Sequence, residues 1–242
     1  MNTKVTKIMS KIILADKKIN IKLLGDSITH GVGGTGWEQC GEPIVEDFRR
    51  SPNSFCWAKL FKDHIESRYN ATVTNNACTG TTVQFVTEHF DSLVSDDDDI
   101  IICTIGTNNR HRLKSEGVHP TREEQMRFVY DKILALDEKM KNSGKDYIFV
   151  ANIPAFNEED TPDAWRIIHM NDIHNLYVKA ACDYGFAFVD LYTLFNDYCE
   201  VHGRSVNSYL ADGLHPTDEG YEVMYRLLMK EFGIATEDKP QN

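Results

Sequence analysis

Ile19-Asn20-Ile21-Lys22-Leu23-Leu24-Gly25-Asp26-Ser27-Ile28-Thr29-His30-Gly31 is the stretch that decides how the rest of the chain reads. A short apolar run, rich in isoleucine and leucine, stops at a glycine and passes into small polar residues. Residues 19–24 therefore predict a buried strand, and 25–31 a turn in which a serine leaves a sheet for solvent.

Working outward, similar apolar runs stand at 71–75, 100–105, 147–153 and 186–190. Most are continuous rather than alternating, which suits parallel strands covered on both faces. Between them lie segments whose apolar residues recur every three or four positions, predicting helices over 54–69, 162–184 and 218–232. The clearest helix starts at Thr121, where Thr121-Arg122-Glu123-Glu124 has the form of a capping box. It carries Met126, Val129, Ile133, Leu136 and Met140 on one stripe until Gly144 stops it. This alternation predicts an α/β protein, a three-layer α/β/α sandwich around a mostly parallel five-stranded sheet, with ligands bound beyond the C-terminal strand ends.

Composition narrows the function. The 242 residues fit a single domain, and 41% hydrophobic with 26% charged residues is ordinary for a globular protein. A formal charge of −11 with no cluster of Lys and Arg argues against a nucleic-acid partner. Six cysteines at 40, 56, 78, 103, 182 and 199 show neither zinc-site nor disulfide-framework spacing, so they read as free thiols. Cys78 reads as a buried small hydrophobe. The run Asp96 to Asp99 lacks the ligand spacing and glycine of a calcium loop and reads as a solvated loop. His169 and His174 stand five apart, out of line for one metal, and no metal site is expected. No segment has the length of a membrane span or the apolar core of a secretory signal, so the chain as given reads as cytoplasmic; no oligomeric state follows.

Chemistry gathers at the strand ends. Ser27 follows the first strand. Asn75-Asn76-Ala77-Cys78-Thr79-Gly80-Thr81-Thr82 follows the second, and Gly106-Thr107-Asn108-Asn109 the third. Just before the last helix stands Asp212-Gly213-Leu214-His215-Pro216. A serine hydroxyl needs a base within hydrogen-bond reach, and the base needs a carboxylate to hold its tautomer. Ser27, His215 and Asp212 fill those roles as nucleophile, general base and orienting acid. The backbone N–H groups of Ser27 and Gly80 with the Asn108 amide supply three donors for an oxyanion hole.

These blocks resemble the GDSL, or SGNH, hydrolase superfamily. Its first block is similar to Gly25-Asp26-Ser27-Ile28-Thr29, its second to the stretch from Asn75 to Gly80, its third to Gly106-Thr107-Asn108-Asn109 and its fifth to Asp212 to His215. Ile28-Thr29 replaces the leucine of the name, Ala77 stands where glycine is usual and Asn109 where aspartate is usual. The resemblance implies a flavodoxin-like SGNH hydrolase domain over 19–235, flanked by an N-terminal extension, 1–18, and a C-terminal tail, 236–242. It also implies ester hydrolysis without metal or cofactor.

The expected activity is that of a serine esterase acting on small acetyl esters, foremost a carbohydrate O-acetylesterase, through an acyl-enzyme on Ser27. A lysophospholipase or acyl-thioesterase is the alternative, and a non-catalytic ligand-binding protein the third. The expected partner is a small-molecule or glycan ester. The connection 31–52, with Gly33-Gly34-Thr35-Gly36-Trp37, reads as a flexible loop beside the nucleophile, its indole suited to a sugar ring or to packing the loop down. A second connection, 110–120, carries Arg110, His111, Arg112 and His119. Asp26, Trp37, Asn109 and Arg110 are the candidates for substrate contact.

Overall fold

Five parallel strands form the central sheet of the computed structural model, which describes residues 3–111, 121–155 and 166–236. In chain order the elements begin with α1 (Thr3–Ile13), β1 (Ile19–Gly25), α2 (Ser27–His30), β2 (Cys40–Val45), β3 (Phe48–Arg50), α3 (Trp57–Arg68) and β4 (Ala71–Asn75). There follow α4 (Val83–Glu88), α5 (Phe90–Leu93), β5 (Ile100–Thr104), α6 (Arg122–Asn142) and β6 (Asp146–Val150), then α7 (Met170–Tyr184), β7 (Ala187–Val189), α8 (Leu191–Val201) and α9 (Asp218–Phe232). The sheet order is β4-β1-β5-β6-β7. Counting only its own strands, that is 2-1-3-4-5, the flavodoxin-like doubly wound order.

Alternation along each strand divides the core. Ile100 and Ile102 face one helical layer with Ile21, Leu23, Val73 and Ile148, against α1, α3, α8 and α9. Ile101 and Cys103 face the other with Leu24 and Phe149, against α4 to α7. Both faces are apolar, which explains the continuous runs in the sequence. Each fully buried side chain of this kind contributes about 1.5–3 kcal/mol, so packing outweighs local propensity.

That magnitude accounts for α1, in the segment read as an extension. Eleven residues are too few for a helix to persist alone. Val5, Met9 and Ile12 are buried against α9 and the β6–β7 side of the sheet, and they hold it there. The small antiparallel ribbon β2–β3, which the sequence does not announce, is held likewise. Val45 is buried, and the Phe48 ring meets the Phe85 ring of α4 edge-on at 5.6 Å.

Other boundaries differ modestly. α7 begins at Met170 rather than 162; residues 156–165 lie outside the described residues. His169 caps it, its N–H donating to Asp172 Oδ2 at 2.9 Å. Nor is the acidic run merely solvated. Asp98 is buried, its carboxylate accepts from the N–H of Ser95 at 2.7 Å, and it lies 3.5 Å from the buried ammonium of Lys22. Among the described residues no helix is long and apolar enough to cross a membrane.

Candidate active site

The switch point of the sheet falls where β1 lies between β4 and β5, and Ser27 is the first helical residue after β1. Asp26 is the N-cap of α2: its Oδ1 accepts from the N–H of Ile28 at 3.1 Å. The cap fixes the sharp strand-to-helix turn and leaves the Ser27 N–H in the first turn, where a helix has no carbonyl to offer it.

Ser27 Oγ lies 2.9 Å from His215 Nε2, and His215 Nδ1 lies 2.7 Å from Asp212 Oδ2. The other carboxylate oxygen of Asp212 accepts from the N–H groups of Leu214 and His215 at 3.0 and 2.7 Å. Partial burial pushes the Asp212 carboxyl up, but the hydrogen bonds from the His215 ring and from these two amides hold it below its ordinary value. Asp212 is therefore ionised near neutrality. An ionised acceptor fixes the proton on Nδ1 and leaves the Nε2 lone pair facing the serine hydroxyl.

The loops after β4 and β5 are tied to the same strand. Cys78 N–H donates to Gly25 O at 3.0 Å, Thr81 Oγ1 donates to Gly25 O at 3.2 Å, and Asn108 Nδ2 donates to Thr81 O at 2.8 Å. Gly80 takes φ +79°, a conformation that favours glycine, and has open space where a Cβ would stand. Its neighbour Thr79 is held from behind by His30, whose Nδ1 lies 2.7 Å from Thr79 Oγ1. His30 is buried, and burial keeps its imidazole pKa low.

Three of the four expected substrate-contact residues are placed otherwise. Asp26 is 0% exposed. Its Oδ2 accepts from Asn152 Nδ2 at 2.9 Å and Thr107 N–H at 3.3 Å, so it joins the ends of β1, β5 and β6 beneath the site instead of facing a ligand. Burial pushes its carboxyl pKa up, against the lowering effect of these bonds. Asn109 is also buried. Its Oδ1 accepts from the Val83 N–H at 2.9 Å and its Nδ2 donates to Gln84 Oε1, so its amide caps α4. Arg110 is 1% exposed, with Nε donating to Thr107 O at 2.7 Å; it supports the loop from below. Trp37 is half-buried, edge-on to the His30 ring at 6.1 Å. Arg112 and His119 lie outside the described residues.

Sequence reasoning missed Thr107 and Asn152, which complete the buried network: Asn152 Nδ2 also donates to Thr107 Oγ1 at 2.6 Å. The available signal was an asparagine inside an apolar run at a strand end, where a buried amide needs polar partners. Cys78 is buried as expected, its thiol pushed up to about 12 by burial. His174 is not idle: its Nε2 lies 2.9 Å from Asp190 Oδ1, and its ring stacks on Tyr192.

A flavodoxin-like sandwich with a serine, a histidine and an aspartate in line at its strand ends defines a serine hydrolase acting on ester bonds. The chain belongs to the GDSL-like Lipase/Acylhydrolase family, which matches residues 23–223. No curated protein sequence matches it. Among solved structures it is similar to a member of the lipolytic protein G-D-S-L family from Veillonella parvula, with 19% identity, TM-score 0.61, and coverage of 89% of this chain and 98% of that one. An alpha/beta hydrolase enzyme from the metagenome of Lake Arreo has 22% identity, TM-score 0.64, and coverage of 90% and 97%. An acetylxylan esterase from Geobacillus stearothermophilus has 19% identity, TM-score 0.63, and coverage of 90% and 95%. Catalytic mutants of that esterase replace a serine, an aspartate and a histidine three positions after the aspartate. At these identities the likeness is one of fold.

Proposed function

We propose that the protein is a carbohydrate O-acetylesterase that works through an acyl-enzyme on Ser27. The observation that carries the reading is the unbroken relay from Asp212 through His215 to Ser27, at 2.7 and 2.9 Å. Ser27 Oγ attacks the ester carbon while His215 Nε2 takes its proton, and Asp212 stabilises the resulting imidazolium. The charge that develops on the carbonyl oxygen is met by the N–H groups of Ser27 and Gly80 and by Asn108. An amide carries two N–H donors, and only one of those on Asn108 is needed for Thr81. Each such donor is worth about 3 kcal/mol in the transition state. His215 then protonates the departing alcohol, and water releases acetate by the same steps reversed.

The acetyl preference draws support from the polar strand ends around Ser27 and from the shared fold of an acetylxylan esterase. The test is hydrolysis of p-nitrophenyl acetate, butyrate, octanoate and palmitate by wild type and Ser27→Ala, followed by acetylated xylan. Turnover is expected to be highest for acetate and to fall by at least about 10⁴-fold in Ser27→Ala, with the fold retained. Preference for octanoate or palmitate would move the protein to the lipid or thioester class. A fully active Ser27→Ala would overturn the mechanism.

A further inference from the structure

The glycine-rich segment after Ser27, read from sequence as flexible, is pinned at several points although Gly33, Thr35 and Gly36 are exposed. Its entry hangs on the nucleophile: the N–H groups of Gly31 and Val32 both donate to the carbonyl of Ser27 at 3.0 Å. Its outer side is held by Phe55, whose N–H donates to Thr35 O at 2.8 Å. Gly34 stands so close that a Cβ there would lie 2.0 Å from Phe55 O.

Its inner side is held by the segment that carries the base. Asp218 Oδ1 accepts from the Thr35 N–H at 2.7 Å, and Tyr221 donates its hydroxyl to Val32 O at 2.6 Å. Tyr221 is buried, and burial keeps its phenol protonated and a donor. Between these two bonds Gly33 lies against the histidine itself. At φ +92°, a Cβ on Gly33 would sit 2.5 Å from Pro216 O and 3.1 Å from His215 Cβ. The contacts close a ring: Ser27, its carbonyl, the loop, the start of α9, Pro216, His215, and back through Nε2 to Ser27 Oγ.

We propose that the loop 32–36 is a clamp that sets the His215 imidazole on Ser27, with Gly33, Asp218 and Tyr221 as positioning residues for the reaction. The proposal rests on His215 being the general base of the proposed function. Serine and histidine are far apart in sequence, so their hydrogen-bond distance depends on a tertiary contact rather than on a local turn. A glycine is required at 33 because φ is +92° and because a side chain would drive into the Pro216 carbonyl and crowd His215 Cβ, displacing the turn that carries the imidazole. A misplacement near 1 Å is enough to cost about 10²-fold in rate.

The experiment compares kcat and KM for p-nitrophenyl acetate in Gly33→Ala and Tyr221→Phe, each made in the wild type and in His215→Ala supplied with free imidazole as an external base. In the wild type, Gly33→Ala is expected to lower kcat about 100-fold and Tyr221→Phe about 10-fold, with KM unchanged. In the imidazole-rescued background neither should cost anything more, because the group they position is gone. Equal losses in both backgrounds, or no loss in the wild type, would overturn the clamp. If Gly33→Ala does not fold by circular dichroism, Tyr221→Phe decides alone. Full turnover by His215→Ala without imidazole would instead remove the base assignment, a result distinct from either.

Discussion

Asp26 and Asp212 are the same residue in two regions of one site, and they do opposite things. Asp26 forms the floor, wholly buried, with its carboxylate shared among Ile28, Thr107 and Asn152. Asp212 stands on the rim, its side chain 55% exposed, and accepts from a single neighbouring segment. Burial dominates the first and raises its pKa, whereas hydrogen bonds prevail at the second and lower it. A buried carboxylate surrounded by backbone donors is part of the frame. An exposed one next to a histidine is, in the proposed mechanism, part of the machinery.

Replacing each in turn puts the contrast at risk. The largest effect is expected from Asp212→Asn, which presents an N–H to His215 Nδ1 and favours the wrong tautomer. kcat should fall by about 10²–10⁴-fold in steady-state assays. Its loss of stability at neutral pH should be small beside that of Asp26→Asn, and a matching loss would erase the distinction. Next comes Asp26→Asn, which turns an N–H toward the donors of Thr107 or Asn152 and leaves a buried group unpaired. Equilibrium urea unfolding should show about 2 kcal/mol of lost stability at unchanged m-value. If the midpoint does not move, the floor is not a frame.

The smallest effect lies in the pH dependence of stability, and its sign separates the two. Asp26 has a folded pKa above the ordinary unfolded value of about 3.9, so the native state binds more protons in the window between them. Its contribution falls as pH rises through that window and is level above it. Asp212 has a folded pKa below about 3.9, so its contribution is present above that pH and is lost as pH falls through the folded value. Urea midpoints of wild type minus each variant, taken from pH 3 to 8, should slope in opposite directions. Parallel slopes would contradict the assignment of floor and rim.

What could be read from the sequence follows the same division. The relay was legible because Asp212 and His215 lie within one short turn, and because a serine after a buried strand has few places to go. The strands were legible because both faces of the sheet are buried, which leaves unbroken apolar runs. Asp26 and Asn109 in their strand-end turns, and Arg110 at the start of the 110–120 connection, face inward instead of toward a ligand. A polar side chain in such a turn can point inward as readily as outward, and only its partners, brought from distant strands, decide which. The pinned loop at 32–36 was misread for a similar reason: glycines signal freedom in isolation and close approach in a packed structure. Helix α1 did carry a signal, since Val5, Ile8, Met9 and Ile12 recur at helical spacing. That stripe is interrupted by lysines and polar residues, so it forms no continuous apolar run. The β2–β3 ribbon had no signal of its own. Pro43 interrupts its register, and it exists because Val45 and Phe48 find partners elsewhere.

The burial of α1 against α9 has a consequence for biosynthesis. Its apolar stripe is made roughly 200 residues ahead of the helix that covers it. At about 5–20 residues per second that is an interval on the order of 10–40 s. For that time Val5, Met9 and Ile12 have no native partner in α9, and their apolar stripe stays uncovered on that side.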